Sequence, residues 1–360
     1  MISPRGNDRW GRGGVPSPAR AGRLPLAPAR LRLVFGQAWA VCGRQSPDVV
    51  ARAACLWRDR WLPAALGLLL SAVLAWPGAA RACTLWAASG SEVAGGGSVV
   101  VKNRDYPPGH PTSFALATPR QGYRILAMLS TGTGRPTMVG GVNEKGLAVI
   151  TATAGSIPRA ERKRRAEAAG LVYPVRPLLE RFATVREVVA AKELLAGLRP
   201  IFAVVADAHE VAVFESSGKA WRIEVAARDA FTAHANHPLL LDAPDMRQEP
   251  DAPGSVVRLR RIRELWAGLA KPVDLEAAAA LALDQADGPD RSILRTGSTP
   301  AKARTVGLMA AWLPPGGGAP RVILRVIDPL DGRRAEKRLT LDAAFWSAAP
   351  PPGQSRTLLR

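Results

Sequence analysis

The feature that most constrains this chain is a boundary at residue 82. Arg58-Asp59-Arg60 leads into the apolar run Trp61–Trp76, and Pro77-Gly78-Ala79-Ala80-Arg81-Ala82 follows before Cys83. A charged start, an apolar core, a helix breaker and an Ala-x-Ala site in that order read as a secretory signal peptide spanning residues 57–82. The run is short for a membrane span, which needs about 20 apolar residues. An uncleaved anchor and a lipidated Cys83 are the alternatives, although Ala80 and Arg81 depart from the usual lipidation pattern. Residues 1–56 form an Arg/Pro/Gly-rich extension with little periodicity, a poor candidate for a packed domain. A signal peptide should not have such an extension in front of it, so translation is expected to start near residues 49–57. Whatever folds must be encoded after residue 82: a domain over residues 83–346 and a Pro-rich tail, expected to be mobile, over 347–360.

Charge sharpens the same boundary. Residues 1–82 carry 12 arginines, no lysine and 3 acidic residues, so about half of the formal charge of +19 precedes Cys83. The arginines are scattered among Ala, Pro and Leu rather than set in a stripe with aromatics, which argues against a nucleic-acid surface. Cysteine usage follows suit. Of Cys42, Cys55 and Cys83, only Cys83 remains after cleavage. A lone cysteine in an oxidising, exported compartment calls for a reason.

An N-terminal cysteine has one. Its α-amine, with an ordinary pKa of roughly 7.7–8.0, lies one residue's reach from a thiol of pKa about 8.5. One residue then supplies both nucleophile and base. What remains is a group to orient the amine and donors for the oxyanion. Cys83–Tyr106 reads as a strand, a Gly-rich turn and a return strand from Ser98, which brings Asn103-Arg104-Asp105 back towards Cys83.

Four segments now resemble the cysteine-type N-terminal-nucleophile hydrolases, in particular the penicillin acyltransferase and choloylglycine (bile salt) hydrolase group, with acid-ceramidase-like amidases as relatives. They are Cys83-Thr84, Asn103-Arg104-Asp105, the turn Gly141-Val142-Asn143-Glu144-Lys145-Gly146-Leu147, and His234-Ala235-Asn236-His237-Pro238. The similarity runs from Cys83 to about Asp331. It implies an α+β fold, a four-layer αββα sandwich of two antiparallel sheets between helices. It implies Cys83 as nucleophile, Asp105 as the residue orienting its amine, and Asn236 as oxyanion donor. Arg104 matches less well, because bile salt hydrolases hold an Arg three residues before the Asp rather than next to it. A later Arg completes the site in those enzymes, and Arg258 and Arg291 both remain open. Those enzymes also carry a second, substrate-contacting Asn where this chain has Thr151-Ala152-Thr153, which argues against bile salts as substrate.

The implied activity is hydrolysis of linear, non-peptide amides by acyl transfer through a Cys83 thioester, on a small-molecule N-acyl amide. Signal peptidase would be the maturation partner, and no cofactor is needed. An acyltransferase with the same nucleophile, or a non-catalytic membrane-anchored domain of the same fold, are the alternatives. The protein is expected to be exported, without stable membrane contact after cleavage. His234 and His237 lack a third ligand of suitable spacing, and His110 and His209 are far off in sequence, so no metal site is expected. Between the motifs, Arg124–Leu129, Gly146–Thr151, Phe202–Ala206, Glu210–Glu215, Trp221–Val225, Val306–Trp312 and Arg321–Val326 read as strands. Val256–Ala270 and Leu275–Asp284 read as helices, and Pro177–Leu195 as two short helices joined near Thr184. Arg159–Arg165 reads as a solvated loop or helix start, with a lid over the substrate groove as its functional alternative.

Overall fold

The computed structural model describes residues 83–132, 134–234 and 254–360. The extension 1–56, the signal segment 57–82 and Asn236 lie outside the described residues. Apolar runs without strict alternation announce strands buried on both faces. β1 (Thr84–Ser89) is buried along its whole length. Leu85 and Ala87 face the interior between two sheets, where Phe114, Leu126 and Met128 meet them from the opposite sheet. Trp86 and Ala88 point the other way, onto a layer of helices carrying Ile262 and Trp266. A third core lies beyond the second sheet, where Ile125, Ala127 and Val149 pack on Val175, Leu178 and Val188. Three apolar cores separate four layers, helix–sheet–sheet–helix, as the sequence resemblance implied.

The first sheet joins β1 to β2 (Ser98–Tyr106), β10 (Phe231–His234), β11 (Arg304–Leu313), β12 (Arg321–Ile327) and β13 (Arg334–Thr340), in the order β10-β1-β2-β11-β12-β13. The second runs β14-β3-β4-β5-β6-β7-β8-β9. Its strands are β3 (Thr112–Thr118), β4 (Ile125–Ser130), β5 (Thr137–Asn143), β6 (Ala148–Thr153), β7 (Ile201–Ala206), β8 (Val211–Ser216), β9 (Trp221–Val225) and β14 (Gln354–Leu359). Neighbouring strands pair antiparallel throughout both sheets.

Helices cover the outer faces. α1 (Arg159–Ala168), α2 (Val175–Arg181), α3 (Val185–Ala190) and α4 (Lys192–Ala196) fall between β6 and β7; α5 (Gly254–Ala267), α6 (Leu275–Ala280) and α7 (Gly288–Arg291) fall between β10 and β11; and α8 (Ala343–Ser347) precedes β14. The junction expected near Thr184 is real. Thr184 caps α3 in a reciprocal capping box with Glu187. The second of the two expected helices breaks again at Ala191, giving three pieces. Arg159–Arg165 starts a helix whose charges are largely spent on each other, through Glu161 with Arg164 and Arg165 and Glu167 with Lys163.

One expectation fails. The Pro-rich tail is not a loose end, because residues 354–359 return as β14 and pair with β3 at the edge of the second sheet. Short turns make the strand ends meet. Gly97 takes φ +77° in the β1–β2 turn, where a Cβ would fall 2.1 Å from the Leu313 carbonyl oxygen, so only glycine fits. Among the described residues no helix is long and apolar enough to cross a membrane.

Candidate active site

The β1–β2 register builds the site. Thr84 pairs with Asn103 and Leu85 with Lys102, so Cys83, one residue before the strand, lies at the level of Arg104. Alternation then sorts the side chains of β2. Lys102 and Arg104 share the inter-sheet side with Cys83, while Asn103 and Asp105 project to the helix side with Thr84. All are withdrawn from solvent, between 0% and 8% exposed, and Cys83 is a free thiol.

On the inter-sheet side the second sheet opens to receive a cation. Ladder pairing of β5 with β6 ends at Gly140–Ile150, although both strands continue. Lys102 Nζ fills the parting and donates to the carbonyls of Val139 and Thr151, each at 2.6 Å. Thr151 Oγ1 also donates to Val139 O at 2.8 Å and lies 3.2 Å from the Tyr173 hydroxyl. Burial pulls the Lys102 ammonium down to about 8, with the negative charge of a Cys83 thiolate acting in the opposite direction. Tyr173 keeps part of its ring exposed, but burial of the hydroxyl pushes it up to about 12. Arg104 Nη1 donates to His110 O at 2.8 Å and Thr112 Oγ1 at 3.0 Å, and Nη2 donates to Ser130 Oγ. Its guanidinium lies 5.0 Å from the Tyr106 ring centre. Burial lowers its pKa as well.

On the helix side sits a second charged cluster. Thr305 Oγ1 donates to Asp105 Oδ1 at 2.8 Å and accepts from Arg295 N at 2.9 Å, and Arg295 Nη1 lies 4.0 Å from Asp105 Oδ2. Arg258, from α5, donates from Nε to Thr84 Oγ1 at 3.1 Å. Burial pushes the Asp105 carboxyl up against the pull of Arg295 and Arg258, and lowers Arg258 to about 10 against the pull of Asp105. Asn103 Nδ2 donates to Ala282 O and Ile293 O at 2.8 and 2.9 Å. Asp105 Oδ2, Asn103 Oδ1 and Arg258 Nη2 are buried with no hydrogen-bond partner among the described residues. Two buried acceptors without a hydrogen-bond donor among the described residues thus lie beside the strand that Cys83 leads.

The sequence-derived residues divide cleanly. Cys83, Arg104 and Asp105 come together. Asn236 lies outside the described residues; His234, the last residue of β10, pairs with Leu85, so β10 delivers the chain to the Cys83 end. Of the two arginines left open, Arg258 is buried beside Asp105, whereas Arg291 ends the short α7 on the surface. Asn143 in the Gly-Val-Asn-Glu turn is a structural hub. It donates to Leu179 O and Phe182 O and accepts from Lys145 N and Leu147 N, fastening α2 to the β5–β6 turn. Lys102, Arg295 and Thr305 were missed. Lys102 had a signal: it stands three residues before Asp105, the spacing at which the resembling enzymes hold an Arg, and on the same strand face as Arg104. Arg295 and Thr305 had none, since the β2–β11 pairing brings Thr305 to Asp105 and Thr305 in turn holds Arg295.

The chain belongs to the acyl-coenzyme A:6-aminopenicillanic acid acyl-transferase family, whose profile matches residues 93–313, more than half of its length. That match begins downstream of Cys83. Two solved variants of the conjugated bile acid hydrolase of Clostridium perfringens are also similar, at 13% and 14% identity. Each alignment covers 77% of this chain and 97% of that enzyme, with a TM-score of 0.46. No curated protein sequence matches the chain.

Proposed function

We propose that this protein is an exported amide hydrolase that acts by acyl transfer through Cys83, freed as the N-terminus when signal peptidase cuts after Ala82. The observation that carries the reading is the pair of buried, donorless acceptors, Asp105 Oδ2 and Asn103 Oδ1, beside the strand that Cys83 heads. Cleavage creates the group they lack. Asp105 then holds the new α-amine, and Arg258 and Arg295 keep Asp105 from drifting to its protonated form. In the reaction the Cys83 proton passes to the α-amine as sulfur attacks the amide carbonyl. The amine returns that proton to the leaving nitrogen, the C–N bond breaks, and an acyl thioester remains. Water, deprotonated by the same amine, releases the acid and restores the thiol. Asn236 and backbone N–H groups would hold the oxyanion, each donor worth about 3–4 kcal/mol. The chemistry calls for no cofactor, and the substrate is a small N-acyl amide.

The test begins with the intact mass of the exported protein. A chain starting at Cys83 with a free amine, hydrolysing acyl p-nitroanilides and losing that activity in Cys83→Ala, is the expected result. A chain that retains residues before Cys83, or carries lipid on it, removes the base and with it the mechanism. The family's name favours a second reading, transfer of the acyl group to an amine. Hydroxylamine added during turnover would divert the thioester to a hydroxamate, and saturation of that diversion would mark an acceptor site.

A further inference from the structure

A cavity of about 800 Å³ lies at the Cys83 end of the sandwich, between the ends of the two sheets. Its surface is more apolar than polar, with Pro111, Val326, Ile327 and Ala335 set beside Thr112 and Ser113. It lies within the size range of small-molecule sites. Three arginines, Arg333, Arg334 and Arg360, and a single acid, Asp328, also line it. The Asp328 carboxylate caps the β12–β13 turn by accepting from the amides of Leu330 and Asp331, and its charge acts on Arg333. Arg333 is engaged by Asp331. Arg334 has no partner among the described residues. A mainly apolar chamber with an uncommitted guanidinium on its rim fits an apolar chain ending in an anion.

The chamber also has a fixed relation to the nucleophile. From β1 the sheet runs through β2 and β11 to β12, whose Val326 and Ile327 form the cavity wall. Three strand spacings of about 4.8 Å put that wall roughly 14 Å from Cys83. Arg104 lies between them, bound to Thr112, itself a cavity residue. Its guanidinium is committed to three protein acceptors, so it forms a floor rather than a ligand contact.

Resting on the function proposed above, we propose that this cavity is the distal substrate subsite. It selects linear amides whose acyl chain ends in a carboxylate roughly 10–14 Å from the scissile carbonyl, with Arg334 as its anchor. The substrates are thus half-amides of long dicarboxylic acids rather than simple fatty amides. The probes are the mono-p-nitroanilide of decanedioic acid, decanoyl p-nitroanilide and acetyl p-nitroanilide, assayed with the mature protein. The expected result is a KM about tenfold lower for the dicarboxylic probe than for decanoyl, the worth of one charge-assisted hydrogen bond. Arg334→Glu should erase that preference, whereas the same charge change at Lys219, in the β8–β9 turn, should leave it. A wild type without the preference, or a preference that survives Arg334→Glu, overturns the subsite. Failure of the catalytic reading looks different: no probe is turned over in a Cys83-dependent way. The subsite is then decided by calorimetric titration of the decanedioic probe into the Cys83→Ala protein. Binding weakened by Arg334→Glu keeps the subsite without the chemistry, and no binding, or binding indifferent to that change, ends it.

Discussion

Replacing Lys102 with Met should change how stability depends on pH, by an amount the structure fixes. Burial lowers the Lys102 ammonium from 10.5 to about 8. At 1.36 kcal/mol per unit, keeping the folded side chain charged costs about 3 kcal/mol. Between roughly pH 8 and 10.5 the unfolded lysine binds a proton that the folded one has shed, so wild-type stability rises with pH across that window. Below pH 8 both states are protonated and the penalty is constant. Above 10.5 it has vanished, and the neutral amine still has two N–H groups for the two carbonyls it serves. The methionine variant carries no such proton. It also leaves the Val139 and Thr151 carbonyls without the lysine donor at every pH. Urea unfolding of both proteins at pH 7 and pH 10.5 reads the difference, with every other titration common to the two. Wild type should gain about 3 kcal/mol relative to Lys102→Met between those pH values, with unchanged m. A flat difference would mean that Lys102 titrates as a solvated lysine and that its burial carries no charge penalty.

Three further outcomes follow from the same geometry. A chain beginning at Cys83 should melt several degrees above one beginning Met-Cys83, since a charge-assisted bond to Asp105 is worth about 1.5–3 kcal/mol; equal midpoints by calorimetry would remove the ammonium receptor. Asn143→Ala should destabilise by about 3 kcal/mol in denaturant titration, because four buried hydrogen bonds converge on that side chain. Gly307→Ala should cost about 1–3 kcal/mol, because its Cβ would sit 2.7–2.9 Å from Thr112 on the facing sheet; a neutral effect would show that the sheets can part there.

How much of this was legible beforehand varied with the kind of signal. Strands such as Phe202–Ala206 and Trp221–Val225 were legible because short runs of apolar, β-branched and aromatic residues lie between turn residues, and the structure has strands at Ile201–Ala206 and Trp221–Val225. The tail was misread because composition carries no record of long-range pairing. Pro350, Pro351 and Pro352 suggest a loose end, whereas β14 gains its pairing from β3, more than two hundred residues earlier. At the site, Arg104 and Asp105 were legible as a local motif. Lys102 was passed over because a lysine after three valines reads as the polar end of a strand. Its burial comes from the parting of β5 and β6, a long-range event with no local mark. Thr305 likewise becomes a neighbour of Asp105 through strand pairing, and Arg295 through its bonds to Thr305. The Gly-Val-Asn-Glu turn was legible as part of the resemblance, while the structural work of Asn143, fastening α2 to the β5–β6 turn, had no local mark.

Chain ends ordinarily fray, and the first residues of a domain exchange their amide hydrogens fastest. β1 reverses that order, since it is paired on one side with β2 and on the other with β10. A chain that begins at Cys83 would therefore start inside its most slowly exchanging region. Releasing Thr84 and Leu85 would require both flanking strands to open, which is close to global unfolding. A reactive end anchored in this way needs no loop or lid to aim it, and its positional accuracy is inherited from the sheet itself.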